Sequence, residues 1–382
     1  MKKLHIYIGI SITLLCAACG EMRVGKNFSY GIIKDGNSIY KGIVHHGVKN
    51  GEGVLVDSLN RTFTGIWHND TLVSGTRVDS SGVYTGQLSA NGKASGHGVY
   101  KSNDGFIYEG CWKNDHKDGF GMAILANNKL KIGEWKNNIY KGERPYYTSE
   151  RIYGIDISKY QHIVGRKRYG INWNQLRITS LGTLSKKRVT GKINYPISFI
   201  YIKSTEGKKL FNPYYKKDYH SARAKGLHTG TYHYFSPSIP AKLQAYNFLR
   251  HSYIRKGDLP PVLDVEPLPS QIKKIGGAGV LFNNIRIWLR IVEKHTGSRP
   301  ILYISQSFVN RYLPLAPDLE KNYLVWIARY GEYKPDVHLV YWQLCPDGKV
   351  QGIHSHVDIN VFNGYRGEFN KFISNRVNIT VF

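Results

Sequence analysis

The C-terminal part of the chain alternates short apolar runs with stretches of helical periodicity. The apolar runs predict buried strands, at Phe199–Ile202, Pro261–Leu263, Pro300–Tyr303 and Tyr323–Ile327. Helix-like stretches lie between them, at Tyr214–Lys225, Ala241–His251 and Leu281–Thr296. In the last stretch Ile285, Leu289 and Val292 fall on one helical face. Strands that alternate with helices over about 220 residues predict a parallel α/β barrel.

Residues 28–146 follow a different pattern, in which an aromatic-x-Gly triplet recurs. It begins at Tyr40, Phe63, Tyr84 and Tyr108, and Lys131 opens a fifth copy without the aromatic residue. Gly-x-Gly triplets close three of these units, at Gly51–Gly53, Gly96–Gly98 and Gly119–Gly121. A period in the low twenties is typical of arrays whose units bury their apolar faces against neighbours. Alternating aromatic and polar residues between glycine-rich turns predict one β-hairpin per unit.

This combination of Tyr-x-Gly and Gly-x-Gly resembles the MORN repeat. The resemblance covers nearly all of residues 28–146 and implies an all-β array that carries no catalytic residue. The partner of the array stays open at this point. A rigid spacer is one interpretation, and a surface that binds a glycan, a lipid headgroup or a protein is the other.

The first residues have the pattern of an export signal. Lys2 and Lys3 precede an apolar stretch, Leu4–Ala18, which ends in small residues before Cys19. The end of this stretch resembles a bacterial lipobox, although Cys16 stands where Leu is usual. The resemblance implies that residues 1–18 are removed and that Cys19 is lipidated, which would anchor the protein to a bacterial membrane in the cell envelope. An ordinary secretory signal or an uncleaved anchor is the alternative.

Charge and cysteine content narrow the function classes. The chain has 53 Lys and Arg against 27 Asp and Glu, a net charge of +26, which by itself points to nucleic acid. From Arg151 onward there are 35 basic and 14 acidic residues, so this region holds +21. Export makes an anionic cell wall the more fitting partner. Cys111 and Cys345 are expected to be buried small hydrophobes, because two distant cysteines form no disulfide framework.

Several acidic residues follow predicted strands, where a barrel collects its catalytic groups. Asp156, Glu206 and Asp358 each come after an apolar run. Asp264 and Glu266 alternate along Leu263–Glu266, so their side chains share one face and begin roughly 6.6 Å apart. Two such acids suit acid–base chemistry because repulsion and burial separate their pKa values. Alone, an Asp-x-Glu pattern more often marks a solvated strand edge.

An ordered series of motifs changes that balance. It consists of Asp156–Gln161, Ile171–Trp173, Lys203–Gly207, Gly230–Phe235, Leu263–Glu266, Trp326–Ala328, Trp342–Leu344 and Val357–Asn360. The series resembles glycoside hydrolase family 25, the Chalaropsis-type lysozymes, over nearly all of residues 151–368. The resemblance implies a modified (β/α) barrel, here residues 151–375, preceded by the MORN-like array. It also implies cleavage of the β-1,4 bond between N-acetylmuramic acid and N-acetylglucosamine in peptidoglycan.

The resemblance assigns roles to individual residues. Glu266 is the expected general acid, and Asp264 is expected to orient the substrate's 2-acetamido group, which can itself attack the anomeric carbon with net retention. Asp156 and Asp358 are expected to line the same cleft. Predicted saccharide contacts are Tyr232, Trp342, Gln343 and Glu206, of which Glu206 has an ion pair with Lys203 as its alternative role.

The remaining expectations concern partners and cofactors. No metal-ligand spacing, phosphate-binding loop or nucleophile elbow competes in the sequence, so we expect neither a metal nor a cofactor. The expected partners are peptidoglycan strands and, through the lipid, a membrane, but not nucleic acid. The alternative function is a non-catalytic scaffold lipoprotein that binds the cell wall. The presence of all four motif acids favours the enzyme.

Overall fold

The computed structural model describes residues 28–377 except residues 128, 331, 336 and 338. The predicted signal segment and Cys19 lie outside these residues. The chain separates into two compact units, with the division between Ile139 and Tyr140. Within the described ranges, no helix has the length and apolar character needed to cross a membrane.

The first unit is built on an antiparallel sheet of eleven strands that follow one another in sequence order, the last of which runs past the division at Ile139. The strands are Phe28–Asp35, Ser38–His45, Val48–Val56, Thr62–His68, Thr71–Asp79, Gly82–Leu88, Ala94–Ser102, Ile107–Lys113, His116–Ile124, Leu130–Lys136 and Ile139–Gly142. Positive φ at both Asn114 and Asp115 shows the tight hairpin turn that such neighbours need. The predicted array of β-hairpins is confirmed.

A ladder of glycines crosses this sheet. Ten consecutive strands each contribute one glycine, and the glycines of neighbouring strands lie directly opposite each other in nine pairs. They occupy positions 31, 42, 53, 65, 75, 86, 98, 110, 121 and 133. In the three units that open with a tyrosine, the tyrosine ring is the reason. A Cβ at Gly121 would overlap the hydroxyl and ring of Tyr108, and a Cβ at Gly98 would overlap Tyr84 in the same way. Glycine therefore leaves the space in which the ring lies.

The same rings bind successive units together. The Tyr108 hydroxyl donates a hydrogen bond to the carbonyl oxygen of Cys111 at 3.1 Å. The Tyr108 ring packs edge-to-face with Trp135, with the ring centroids 5.3 Å apart. Trp135 lies in the next unit, and its Nε1 donates to the carbonyl oxygen of Gly121 at 3.3 Å. The Tyr40–Trp67 and Tyr84–Trp112 pairs repeat this arrangement. Each tyrosine is thus buried by the tryptophan of the unit that follows.

Replacement of Gly121 by Ala should destabilise the array, because the added methyl group enters space filled by Tyr108. The expected loss is about 1–3 kcal/mol in the free energy of unfolding, as for other overpacked sites. Chemical denaturation of the full chain, followed by circular dichroism, measures it. Phe120→Ala is the matched control, since Phe120 is the neighbouring residue on the same strand and its side chain is 58% exposed. Equal stability of the two variants would contradict this account of the glycine ladder.

The second unit is a closed barrel of eight strands. In sequence order they are Tyr153–Ile157, Tyr195–Glu206, His228–Tyr234, Val262–Val265, Ile301–Ser305, Val325–Ala328, Leu339–Gln351 and Val357–Phe362. The first seven pair in parallel, and the eighth closes the ring antiparallel to the seventh and the first. The modified (β/α) barrel is confirmed. The all-parallel sheet suggested by the alternation of strands and helices is wrong for this last strand.

Helices cover the outside of the barrel unevenly. The α-helices are Tyr215–Ala224, Ala241–His251, Pro269–Lys274, Ala278–Thr296, Gln306–Arg311, Pro317–Asn322 and Arg366–Val377, and 3-10 turns occupy Lys159–Gln161 and Leu313–Leu315. Short strands complete the unit at Tyr146–Tyr147, Ile163–Val164, Lys167–Arg168, Arg177–Ser180, Arg188–Val189 and Leu210–Phe211. No α-helix among the described residues joins the first barrel strand to the second.

Alternation along the barrel strands separates two apolar layers. Phe199 and Tyr201 point into the barrel, where they pack with Trp326 and Tyr341. Ile200 and its outward-facing counterparts on other strands pack against the helices. The aromatic filling closes the interior, so the barrel is a packed core with one polar end. Of the two described cysteines, Cys345 is buried as predicted, whereas Cys111 is half-buried.

Candidate active site

Four carboxyl groups meet at one end of the barrel. Asp156 and Asp358 lie on the first and eighth strands and are directly opposite each other in the antiparallel pairing. Asp264 lies on the fourth strand, Val262–Val265, and Glu266 follows immediately after its end. Asp358 is near the start of its strand, but that strand runs in reverse, so its start lies at the end where the others finish.

These acids line a cleft together with aromatic side chains. The lining consists of Asp156, Ser158, Tyr160, Lys203, Tyr232, Tyr234, Val262, Asp264, Glu266, Tyr303, Trp326 and Asp358. Five of the predicted site residues are therefore brought together: the four acids and Tyr232. Aromatic faces beside carboxyl groups suit a sugar, which offers both apolar C–H faces and hydroxyl groups.

Two buried amides orient the first pair of acids. Asn360 donates from Nδ2 to Asp156 Oδ1 at 2.8 Å, and its own Oδ1 accepts from Trp326 Nε1 at 3.0 Å. Gln343 donates from Nε2 to Asp358 Oδ1 at 2.6 Å, and its Oε1 accepts from the Tyr303 hydroxyl at 2.6 Å. Each aromatic donor fixes which way the amide points.

Burial and mutual repulsion favour protons on this pair. Desolvation is the main cause that raises the pKa of Asp156 far above its ordinary range, and the neighbouring Asp358 adds to it. The pKa of Asp358 rises to about 7, again through desolvation, while hydrogen bonds from Gln343 and Asp156 oppose the rise. Because two carboxylates in contact resist ionising together, the pair holds at least one proton near neutral pH.

Asp264 and Glu266 differ in exposure. Asp264 is 8% exposed, and its Oδ1 has no hydrogen-bond partner among the described residues. Burial and then the Glu266 charge raise the pKa of Asp264, whereas Lys203 lowers it. Glu266 is exposed in the cleft. Desolvation by the cleft wall nevertheless raises its pKa, although the Lys203 charge and a hydrogen bond with Tyr303 both lower it. Glu266 is thus a solvent-accessible acid whose proton is retained to a higher pH than usual.

Three predicted saccharide contacts lie elsewhere than expected. Trp342 is fully buried in the outer apolar layer, where its Nε1 donates to the Tyr147 hydroxyl at 3.3 Å, so its prediction as a saccharide contact is wrong. Gln343 is 3% exposed and positions Asp358 from behind the cleft. Glu206 forms the ion pair with Lys203, at 2.7 Å, in a trough beside the cleft.

Several residues that line the cleft are not among the site residues predicted from the sequence. Tyr303 ends the predicted strand Pro300–Tyr303, so its position at a strand's carboxyl end was the available signal. Lys203 and Trp326 lie within the quoted motifs, but only the fold shows that they border the acids. His233 is fully buried between Thr205 and Gln244, with a pKa lowered to about 3 by desolvation, and takes no part in the cleft. Among the described residues, no cluster of His, Cys, Asp and Glu could hold a metal ion.

Two protein-family models match this chain. The model of glycosyl hydrolases family 25 matches residues 155–353, and the MORN repeat model matches residues 40–58, 84–106 and 108–129. The chain belongs to glycosyl hydrolases family 25. It is therefore a glycoside hydrolase, and its MORN repeats include the units that open at Tyr40, Tyr84 and Tyr108.

Individual relatives share only part of their sequence with this family 25 chain. Uncharacterized protein YegX of Escherichia coli (strain K12) is 36% identical over 228 residues, which cover 59% of this chain and 74% of that protein. Lysozyme M1 of Streptomyces globisporus is 26% identical over 229 residues, 56% of this chain and 68% of that protein. The crystal structure of the bacterial lysozyme from Streptomyces coelicolor is 24% identical, with a TM-score of 0.47 over 60% of this chain and 99% of that one.

The raised pKa of Asp358 predicts how stability depends on pH. The folded pKa of about 7 lies above the ordinary 3.8, so this group stabilises the fold below pH 4, and that contribution is lost as pH rises towards 7. The difference in melting temperature between the protein and Asp358→Asn should therefore shift in favour of Asn between pH 4.5 and 7.5. Thermal unfolding of both proteins across this range measures it.

Asp318→Asn is the control for that series. Asp318 pairs with Arg286, which lowers its pKa, so its contribution should be constant above pH 4.5. A pH-independent difference for Asp358→Asn would show that this carboxyl group is ionised throughout.

Proposed function

We propose that this chain is an exported peptidoglycan hydrolase, an N-acetylmuramidase that cleaves the β-1,4 bond from N-acetylmuramic acid to N-acetylglucosamine. The observation that carries the proposal is the pairing of Glu266 with Asp264. Glu266 is an accessible acid with a raised pKa, and Asp264, two residues earlier, offers a buried oxygen without a hydrogen-bond partner. Glu266 as proton donor and Asp264 as hydrogen-bond acceptor for an amide N–H thus lie beside each other in one cleft.

The relatives support the choice of substrate. One is named Lysozyme M1 and another, from Clostridium acetobutylicum, is named Autolytic lysozyme and is 29% identical over 171 residues. The charge of the chain points in the same direction. Its surplus of 26 positive charges suits an anionic envelope polymer, which such an excess attracts over distances of several ångströms.

The proposed reaction begins with protonated Glu266. Its proton passes to the glycosidic oxygen as the bond from that oxygen to the anomeric carbon breaks. The carbonyl oxygen of the substrate's 2-acetamido group attacks the anomeric carbon from the other face and forms a cyclic oxazolinium ion. Glu266, now a carboxylate, then removes a proton from the water that opens this ring. Two inversions give net retention and return Glu266 to its starting state.

Asp264 is proposed to assist by accepting the acetamido N–H. Its unpartnered Oδ1 gains that hydrogen bond only when substrate is bound. Lys203 favours the ionised form of Asp264 against the burial that opposes it. A carboxylate in this position also stabilises the positive charge that develops on the ring nitrogen. Asp156 and Asp358 are proposed to border the same sugar and to keep the cleft from accumulating negative charge.

Replacement of Glu266 by Gln should lower kcat on purified peptidoglycan by about 10²–10⁴-fold with little change in KM, because the amide has no proton to donate. Release of reducing ends measures the rate, and mass spectrometry of the products identifies the bond. Glu320→Gln is the matched control, since Glu320 is exposed on the helix Pro317–Asn322. An unchanged kcat in the Glu266 variant would remove it as the acid. Wall binding without turnover by the unmodified protein would instead support a scaffold.

We also propose that a lipid on Cys19 holds the enzyme at the cell envelope. The support is the sequence alone: the basic start, the apolar stretch to Ala18 and the small residues before Cys19. A lipid anchor would keep the catalytic unit beside its polymeric substrate.

Replacement of Cys19 by Ser should abolish incorporation of labelled palmitate during expression in bacteria and move the protein from the membrane to the soluble fraction. Autoradiography and fractionation measure the two effects. Cys111→Ser is the control, because Cys111 lies in the repeat array outside the signal segment and its replacement should leave labelling intact. Full labelling of the Cys19 variant would exclude lipidation at this position.

A further inference from the structure

A second groove lies beside the cleft, between a hairpin and a helix. The turn Gly207–Leu210 joins the end of the second barrel strand to the short strand Leu210–Phe211, and the helix Ala241–His251 packs next to it. The groove has a volume of about 630 Å³ and is lined by Lys208, Lys209, Leu243, Tyr246, Asn247, Arg250 and His251. None of these lining residues belongs to the proposed reaction.

All the charged residues that line the groove are basic. Three of its lining side chains, Lys208, Lys209 and Arg250, carry a positive charge, and no lining residue is acidic. Neither the turn nor the helix contains an Asp or Glu, and the helix adds a further cation at Lys242. Without a carboxylate of its own, the groove can offer these charges to a ligand. Tyr246 and Leu243 are 43% and 47% exposed and add apolar surface.

Hydrogen bonds hold the groove in shape without a ligand. The side chain of Asn247, which is 6% exposed, donates from Nδ2 to the carbonyl oxygens of Gly207 at 2.9 Å and Leu210 at 3.2 Å. The ring of Phe211 stacks on His251 with centroids 5.5 Å apart. The hairpin is thereby fixed to the helix, so binding would not have to order it.

A trough borders the cleft on one side and the hairpin of the groove on the other. Ser158, Tyr160 and Lys203 line both the cleft and this trough. Its far wall is formed by Leu210 and Phe211, whose side chains are about 60% exposed and which contact Asn247 and His251 of the basic groove. A chain attached to a sugar in the cleft can therefore follow an apolar wall to a cluster of positive charges.

We propose that the basic groove binds the carboxylates of the peptide that branches from N-acetylmuramic acid, an inference that rests on the proposed function. The peptide is covalently attached to the sugar that the cleft would hold, and each of its residues extends at most about 3.6 Å. Its apolar side chains would lie on Leu210 and Phe211, and its carboxylates would pair with Lys208, Lys209 and Arg250. Phosphate polymers of the wall would meet the charges but have no attachment that leads them through the trough.

The test uses Lys208→Glu/Lys209→Glu and a matched charge reversal, Lys273→Glu/Lys274→Glu. Lys273 and Lys274 are adjacent, exposed and outside the cleft, trough and groove. The substrates are peptidoglycan freed of phosphate polymers and the same glycan strands after an amidase has removed their peptides. For each full-length protein, KM is measured on both substrates. Co-sedimentation is measured in the Glu266→Gln background, where binding is read without turnover.

The groove variant should lose the preference for peptide-bearing strands, with the KM ratio between stripped and intact strands falling roughly tenfold. The control pair should keep that preference. An unchanged ratio in the groove variant, or a preference that depends only on phosphate polymer when this is added back, would overturn the proposal. If the unmodified protein releases no reducing ends from either substrate, the muramidase proposal fails. Peptide-dependent co-sedimentation that is lost in the groove variant would still support the groove.

Discussion

The burial of carboxyl groups away from water is the main influence on the pKa values at the polar end of the barrel. Asp156 and Asp264 lie deep enough that desolvation is the largest influence on both, and it raises the pKa of each well above its usual range. Four acids could not be collected there as free carboxylates, because their mutual repulsion at low dielectric would oppose folding. The repulsion between the acids is reduced by the protons that they retain, by hydrogen bonds from two amides and by the positive charge of Lys203. The same desolvation raises the pKa of Glu266, so its proton is retained to a higher pH than usual.

The amides show how the barrel interior and the cleft depend on each other. Trp326 belongs to the aromatic filling of the barrel, yet its Nε1 fixes Asn360, which in turn donates to Asp156. Tyr303 does the same for Gln343 and Asp358. Packing of the inner layer therefore sets the direction of hydrogen bonds at the acids. A substitution in that layer would alter both stability and the protonation of the site.

The array solves a different problem with equally strict geometry. A narrow sheet must bury large rings without a second layer of helices, and the units that open at Tyr40, Tyr84 and Tyr108 do so by laying the tyrosine over the glycine of an adjacent strand. The tryptophan of the next unit then covers that tyrosine. Stability is consequently shared between neighbouring units, as in other repeat proteins. This requirement accounts for the positions of Tyr, Gly and Trp in these units.

The repeat could be predicted from the sequence because its contacts are local and periodic. The spacing from Tyr108 to Gly121 and Trp135 recurs to within one residue in the units that open at Tyr40 and Tyr84. The residues that contact one another therefore form a repeating pattern in the sequence. The helices Ala241–His251 and Ala278–Thr296 were likewise indicated by periodicity, and the four acids by their positions after strands. The antiparallel direction of Val357–Phe362 was not indicated, since the pattern of a strand does not depend on its direction.

The sequence by itself therefore determined the repeat, the order of the barrel elements and the identity of the acids. Only the tertiary structure decided which side of a strand faces the cleft. Trp342 and Gln343 are neighbours in one motif, yet the strand's period of two places Trp342 in the outer core and Gln343 behind Asp358. The unpartnered oxygen of Asp264 and the basic groove beside it also depend on contacts between distant segments. No local pattern specifies such contacts, because they arise only when the barrel closes.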